Sequence, residues 1–384
     1  MNRLSSAGSP MPGPIPVEFQ SDSPTPPGRL LRAELDARGM TQADLAQRSG
    51  LSTKHLNQVI QGVASLSPDV ALILERTLGT PASVWTILEA RWQDERSRRR
   101  AQDNLIGHIE WAKKFPLNIL KERGLLTGSE KGVTLVEKLL KIFRVADPQA
   151  FDRVWHAPIN GFRRAQHLAV NQNAAVTWLM LAERQTEKIS LDSYSLPRLR
   201  ATIPRLRELT RVPIVHGFPE ARQLLAECGV ALAFVEDVPG ARTCGATWWA
   251  GPTRPIIALS ARGGREDSVW FSLFHEIGHL LLHSRRVSFI QFDPSTGDDT
   301  DGKEQEANTF AFETLIPPDR VPELSRAGRV QLNALAEELG ISPGIAAGQR
   351  GFLTGEWRSV QKLRQRFDIK ELARIAGSPT ARDH

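Results

Sequence analysis

Five consecutive residues, His275-Glu-Ile-Gly-His279, carry the chemically informative spacing of this chain. Histidines four apart lie on one face of a helix, where two imidazoles can hold a single metal ion. Glu276 sits beside them, able to take a proton from water that the metal has made acidic. This is the layout of a zinc-dependent hydrolase, with Zn2+ on His275 and His279 and with Glu276 as catalytic base. The bland alternative is a buried helix whose histidines bond nearby carbonyls. An apolar helix with this motif would, however, strand several costly polar groups unless they share a partner.

A catalytic zinc takes three protein ligands and keeps one open position. Downstream, Asp301, Glu304 and Glu306 are candidates for the third ligand, and so is His283. His283 lies two turns beyond His275, about 12 Å along a regular helix, whereas a Zn–N bond spans about 2 Å. Glu304 and Glu306 are two apart and project to different sides of their helix. Glu304 shares its face with Asn308 and Ala311, small residues that allow close approach, and Glu306 shares one with Phe310. Glu304 is preferred; Glu306 stays open.

Several elements must position these groups. Val269, Leu273, Phe274, Ile277, Leu280 and Leu281 recur with a period near 3.6, which predicts a buried helix around the motif. Asp301 to Pro318 supplies a second helix bearing carboxylates. Upstream, Val230–Val235, Ala246–Trp249 and Pro255–Ser260 read as short strands broken by Pro239-Gly240 and Gly251-Pro252. Asp293 to Lys303 reads as an acidic loop that could gate access, with no calcium-loop spacing. Val330–Leu339 and Val360–Phe367 read as closing helices.

Together these stretches resemble the ImmA/IrrE family of bacterial and phage metallopeptidases. The likeness rests on His275-Glu-Ile-Gly-His279, on Glu304-x-Glu-Ala-Asn-x-Phe-Ala and on Leu-Ile-Pro. It extends to Gly245-Ala-Thr-Trp-Trp, Pro255-Ile-Ile-Ala-Leu-Ser260 and Trp270-Phe-Ser-Leu-Phe-His275. The resemblance implies a zincin-like fold, zinc at His275, His279 and Glu304, and Glu276 as general base. It also implies a protein substrate, often a transcriptional repressor. The single tyrosine, Tyr194, lies far from the motif in sequence, so no oxyanion-stabilising residue is named.

Near the N-terminus the pattern is different. A first helix fits Gly28–Arg38, stopped by Gly39. Thr41 caps a segment ending at Ser49 and Gly50, and Ser52 caps Thr53–Gln61, closed by Gly62. Two short helices joined by a tight glycine-containing turn are the layout of a helix-turn-helix. Leu45, Ala46, Leu51, Leu56, Val59 and Ile60 would hold the pair together. Thr53, Lys54, Asn57 and Gln58 are left free, residue types that bond phosphates or base edges in a major groove. The stretch resembles the Xre-type helix-turn-helix, particularly its HigA-antitoxin branch, through Gly39-Met-Thr-Gln-Ala-Asp-Leu-Ala46. That resemblance implies a backbone contact from Gln42 and a homodimer on paired half-sites of double-stranded operator DNA. Arg96-Ser-Arg-Arg-Arg100 reads as a solvated helix end that can also touch phosphates.

The 384 residues suggest several domains. The expected order is a disordered Pro- and Gly-rich tail at 1–27, the helix-turn-helix domain at 28–100 and a helical linker domain at 101–225. A zincin-like domain at 226–375 and a short tail at 376–384 follow. Proline breaks are expected in the linker at 116, 148, 158, 197, 204 and 213. The fold class is multidomain, mainly α, with an all-α N-terminal domain and a small α+β domain. A net charge of +6 permits a nucleic-acid partner. No apolar leader or 18-residue apolar run is present, and Cys228 and Cys244 lack metal-binding spacing, so a cytoplasmic chain without a membrane span is expected. The leading functional expectation is a DNA-associated zinc endopeptidase. The alternative is an antitoxin-type regulator whose metal domain senses or binds a partner.

Overall fold

The computed structural model describes residues 25–156, 171–260, 263–283, 289–292 and 302–377. Most of the expected tails and most of the acidic loop, at 293–301, lie outside the described residues, as does Pro158. The chain divides into two compact units, one ending at Gly107 and one beginning at His108.

The first unit consists of helices α1 (Pro27–Ala37), α2 (Gln42–Ser49), α3 (Thr53–Ile60), α4 (Pro68–Leu78) and α5 (Ala82–Leu105). Local chemistry sets their ends. Thr41 and Asp44 form a reciprocal capping box at the start of α2, which stops at Gly50 with φ of 70°. Ser52 accepts from the His55 amide to start α3. Leu31, Leu45, Leu56, Val59, Leu74 and Trp85 fill the core, with Ala46, Leu51 and Ile60 packed at its margin. The α5 helix runs on to Leu105. It absorbs the arginine run, and Arg98 and Arg99 pair with Asp94 and Glu95 one turn back. Such exposed pairs add little stability, roughly 0.3–0.5 kcal/mol each.

The second unit includes α6 (Gly132–Phe143), α7 (Gln172–Thr186), α8 (Leu196–Glu208) and α9 (Ile214–Glu227) ahead of a four-stranded sheet. Strands β1 (Ala231–Phe234), β2 (Thr243–Trp249) and β3 (Pro255–Leu259) fall where the sequence predicts them; β4 (Phe289–Phe292) does not appear in the sequence reading. The sheet order is β1-β3-β2-β4, with β1 parallel to β3 and the other pairs antiparallel. Both β1 and β3 are buried throughout, which explains their continuous apolar runs. The α10 helix (Glu266–Leu282) carries the motif and packs against β2, β3, α11 (Gly302–Leu315) and α13 (Pro343–Thr354). It is apolar nearly all round because it is covered nearly all round. Leu232, Phe234, Ile257, Phe274, Ile277 and Leu281 belong to the core that joins helix and sheet.

Two expectations need correction, and two helices add to the sequence reading. Pro204 does not break the chain but lies within α8, and Pro219 lies within α9. A proline removes one backbone donor, and tertiary packing of a helix can outweigh that local cost. Val360–Phe367 is not a helix: a short one ends at Val360, and Arg265 pairs with Arg366 as an isolated bridge. Arg364 is drawn instead to buried Asp267 at 2.7 Å and to Ser268 at the start of α10. Finally, α13 and α14 (Ile369–Gly377), both unassigned from sequence, complete the unit beside α12 (Arg329–Leu339).

Candidate metal centre

His275 and His279 project from one face of α10, with their Nε2 atoms 3.0 Å apart. The α11 helix brings Glu304 across to meet them. Its Oε2 lies 3.0 Å from His275 Nε2 and its Oε1 3.3 Å from His279 Nε2. All three side chains are buried, and among the described residues theirs is the one His/Cys/Asp/Glu cluster suited to a metal. Close helix packing makes this reach possible. Gly278 faces α11, where a Cβ would meet Phe310 at 3.0 Å and the Ala307 Cα at 3.3 Å.

The other candidates lie elsewhere. Glu306 is exposed, with an oxygen 3.6 Å from His283 Nδ1. His283 is the residue after the last turn of α10, with extended backbone. Its Nε2 donates to the Lys303 carbonyl at 3.1 Å, and its ring lies beside that of His279 with centroids 5.2 Å apart. Asp301 lies outside the described residues.

The donor set fits a zinc ion. Tetrahedral zinc with bonds near 2.0–2.1 Å places its ligand atoms roughly 3.3 Å apart, against 3.0 to 3.3 Å between these atoms. Without a cation, two imidazole nitrogens and a carboxylate would crowd one buried point with too few protons to satisfy them. Electrostatics favour the ligand form at His279 and Glu304. Burial holds His279 down at about 4, so it is neutral at pH 7. Burial works to raise Glu304, but its bonds to the two imidazoles prevail and hold it down at about 2. His275 is raised because the neighbouring Glu304 and Glu276 outweigh its burial.

Glu276 is fully buried on the strand side of α10. The Thr247 hydroxyl donates to its Oε2 at 2.7 Å, while Oε1 has no hydrogen-bond partner among the described residues. Burial pushes this carboxyl up to about 8, against the pull of the His275 ring and Thr247. Gly245, on the same face of β2 as Thr247, leaves the space that Oε1 fills, since a Cβ there would overlap it. Neither residue follows from the sequence pattern alone. A residue pair two apart on a strand marks a shared face, but not the helix that face meets.

Two rings take different supports. His275 Nδ1 donates to Asn308 Oδ1 at 2.9 Å. His279 Nδ1 has no partner among the described residues, and its ring stacks on Phe289 of β4 with centroids 3.9 Å apart and planes 10° apart. Tyr194 sits behind α10, against the Leu280 carbonyl and Trp249, away from the cluster.

In the first unit, Thr53 and Lys54 are exposed and Asn57, Gln58 and Gln42 are half-buried, all on α2 and α3. Leu56 and Val59 of α3 face the core, leaving these polar groups at its surface. No helix among the described residues is long and apolar enough to cross a membrane.

Comparisons with known proteins agree with this division. Residues 232–348 match the IrrE N-terminal-like domain family, Peptidase_M78, and residues 31–85 match a helix-turn-helix family. No curated protein matches the chain significantly. Among solved structures, antitoxin GraA is similar at 28% identity over 23% of this chain and 95% of its own, with a TM-score of 0.21. A HigA-family addiction module antidote protein from Coxiella burnetii is similar at 24% identity over 22% of this chain and 91% of its own, with a TM-score of 0.20. The two matches put a helix-turn-helix domain ahead of a Peptidase_M78 domain, an order that matches the ImmA/IrrE plus helix-turn-helix architecture.

Proposed function

We propose that the protein is a cytoplasmic, DNA-associated zinc endopeptidase that cleaves a protein partner such as a transcriptional repressor. The observation that carries this reading is the convergence of His275, His279 and Glu304 next in sequence and space to the buried Glu276, whose Oε1 has no hydrogen-bond partner among the described residues. His275, His279 and Glu304 would hold the ion. When bound, zinc supplies Lewis acidity, which polarises a carbonyl and lets water ionise near neutral pH. Glu276 takes the proton of the attacking water at its carboxylate and returns it to the leaving amine. Thr247 holds Oε2 and, among the described residues, Oε1 is left open for that task. The helix-turn-helix unit binds double-stranded operator DNA as a homodimer through Gln42, Thr53, Lys54, Asn57 and Gln58. Proteolysis and transcription are thereby coupled in one chain.

An antitoxin-type regulator with a sensory metal domain would need the three ligands but not a buried carboxyl aimed beside them. The test separates the two. Wild type and Glu276→Gln are purified, their zinc is quantified, and each is incubated with repressors encoded by neighbouring genes. Zinc in both with cleavage by wild type alone supports the peptidase. Zinc in both without cleavage by either favours the sensor, and absence of zinc from both removes the catalytic reading.

A further inference from the structure

Helix α11 approaches His275 from both of its nitrogens. Glu304 and Asn308 are one turn apart on that helix and share a face. Glu304 Oε2 lies 3.0 Å from Nε2, and Asn308 Oδ1 lies 2.9 Å from Nδ1. An amide oxygen only accepts, so the proton of a neutral His275 sits on Nδ1 and the lone pair on Nε2 points at the cluster. Among the described residues His279 lacks such a bond at its own Nδ1, so of the two imidazoles it is His275 whose ligand tautomer a described side chain fixes.

We propose that Asn308 is a positioning residue that sets the metal affinity of the site by locking His275 as an Nε2 donor. This rests on the reading that His275, His279 and Glu304 hold zinc. Asn308 itself touches none of the converging ligand atoms and acts through the imidazole. Its bond fixes the ring plane and removes the entropic cost of choosing a tautomer when the ion arrives. The residue is exposed apart from this contact, so its replacement leaves the core of α10 and α11 in place.

The test compares full-length wild type, Asn308→Leu and Asn308→Asp. Each is stripped of metal and titrated with zinc against a chromophoric chelator, and the metal-free proteins are melted in parallel. The leucine variant removes the acceptor at similar size and is expected to lose about 10–100-fold in zinc affinity. The aspartate keeps an acceptor and is expected to bind at least as tightly as wild type. Metal-free melting temperatures are expected to agree across the three. Wild-type zinc affinity in the leucine variant would overturn the proposal while leaving the zinc site intact. Equal losses in both variants would also overturn it, because the acceptor would not be what matters. A wild type that binds no zinc would instead remove the reading on which the proposal rests.

Discussion

The Thr247 hydroxyl donates to Glu276 Oε2 across 2.7 Å, and this bond ties the motif helix to an interior strand of the sheet. Gly245 sits two residues earlier on the same face, under Oε1. Strand and helix therefore fix both oxygens of the carboxyl, one by a bond and one by the absence of a side chain. Gly245→Ala is expected to push Glu276 aside while the three ligand side chains stay in place. Bound zinc should remain at about one ion per chain, while peptide cleavage falls roughly 100-fold or more. Overpacking should cost about 1–3 kcal/mol of stability. Metal analysis, melting and cleavage on one preparation check this, and an alanine variant with full activity would refute it.

Glu276 also makes stability depend on pH in metal-free protein. Burial raises its pKa from an ordinary 4.5 to about 8 in the fold. Between those values the folded state holds a proton that the unfolded chain releases, so stability falls as pH rises through the window. Metal-free wild type is expected to melt higher near pH 5 than near pH 8. Glu276→Gln removes the ionisation and should flatten that difference by up to a few kcal/mol. A bound dication would also lower the pKa of Glu276 and shrink the slope. Melts of both proteins across this range, with and without zinc, decide it; parallel curves for the two metal-free proteins would show that other groups set the slope.

The motif helix is legible in sequence because its ligand spacing and its apolar period lie within a few turns. Thr41, Ser52 and Gly50 mark helix ends for the same reason, since capping is a local event. The supports around the site are long-range. Thr247 and Glu276 are 29 residues apart, and His275 and Asn308 are 33 apart. A sequence pattern gives the faces of each element but not which faces meet. Strand β4 illustrates the limit most clearly. Four residues, Phe289-Ile-Gln-Phe292, form an edge strand only because β2 offers them a partner, yet Phe289 supplies the ring on which His279 stacks. Pro204 and the stretch after Val360 fail for the opposite reason, because tertiary contacts overrule local preference there.

The third ligand can be assigned by a pair of substitutions. Glu304 is buried against both imidazoles, whereas Glu306 is exposed beside His283. Glu304→Gln keeps the shape but loses the charge that complements a dication, so zinc affinity should fall by about 100-fold or more. Glu306→Gln should bind as wild type does. Thermal shifts offer a second readout, because zinc present at about 1,000 times its Kd stabilises a fold by about 4 kcal/mol. That stabilisation should vanish selectively in Glu304→Gln; its loss in Glu306→Gln alone would move the ligand to the neighbouring carboxylate.

The helix-turn-helix unit yields a prediction that does not depend on the metal. Lys54 is exposed near the start of α3, with Thr53 before it and Asn57 and Gln58 in the following turn. A lysine that contacts phosphate contributes affinity without sequence choice. Lys54→Ala should therefore weaken binding evenly across duplexes and reduce the slope of log affinity against log salt by about 1. Asn57 and Gln58 carry amides that can read base edges. Their alanine variants should cost about 1–3 kcal/mol on a preferred duplex and little on a scrambled one. Fluorescence anisotropy between roughly 50 and 200 mM salt, with duplexes selected from a random pool, separates the two effects. Thr41→Ala serves as the control for folding, since loss of the capping box should lower stability by about 1 kcal/mol without changing the salt slope. If Lys54→Ala left the slope unchanged while Asn57→Ala lowered affinity on every duplex alike, α3 would be lying along the backbone rather than in the groove.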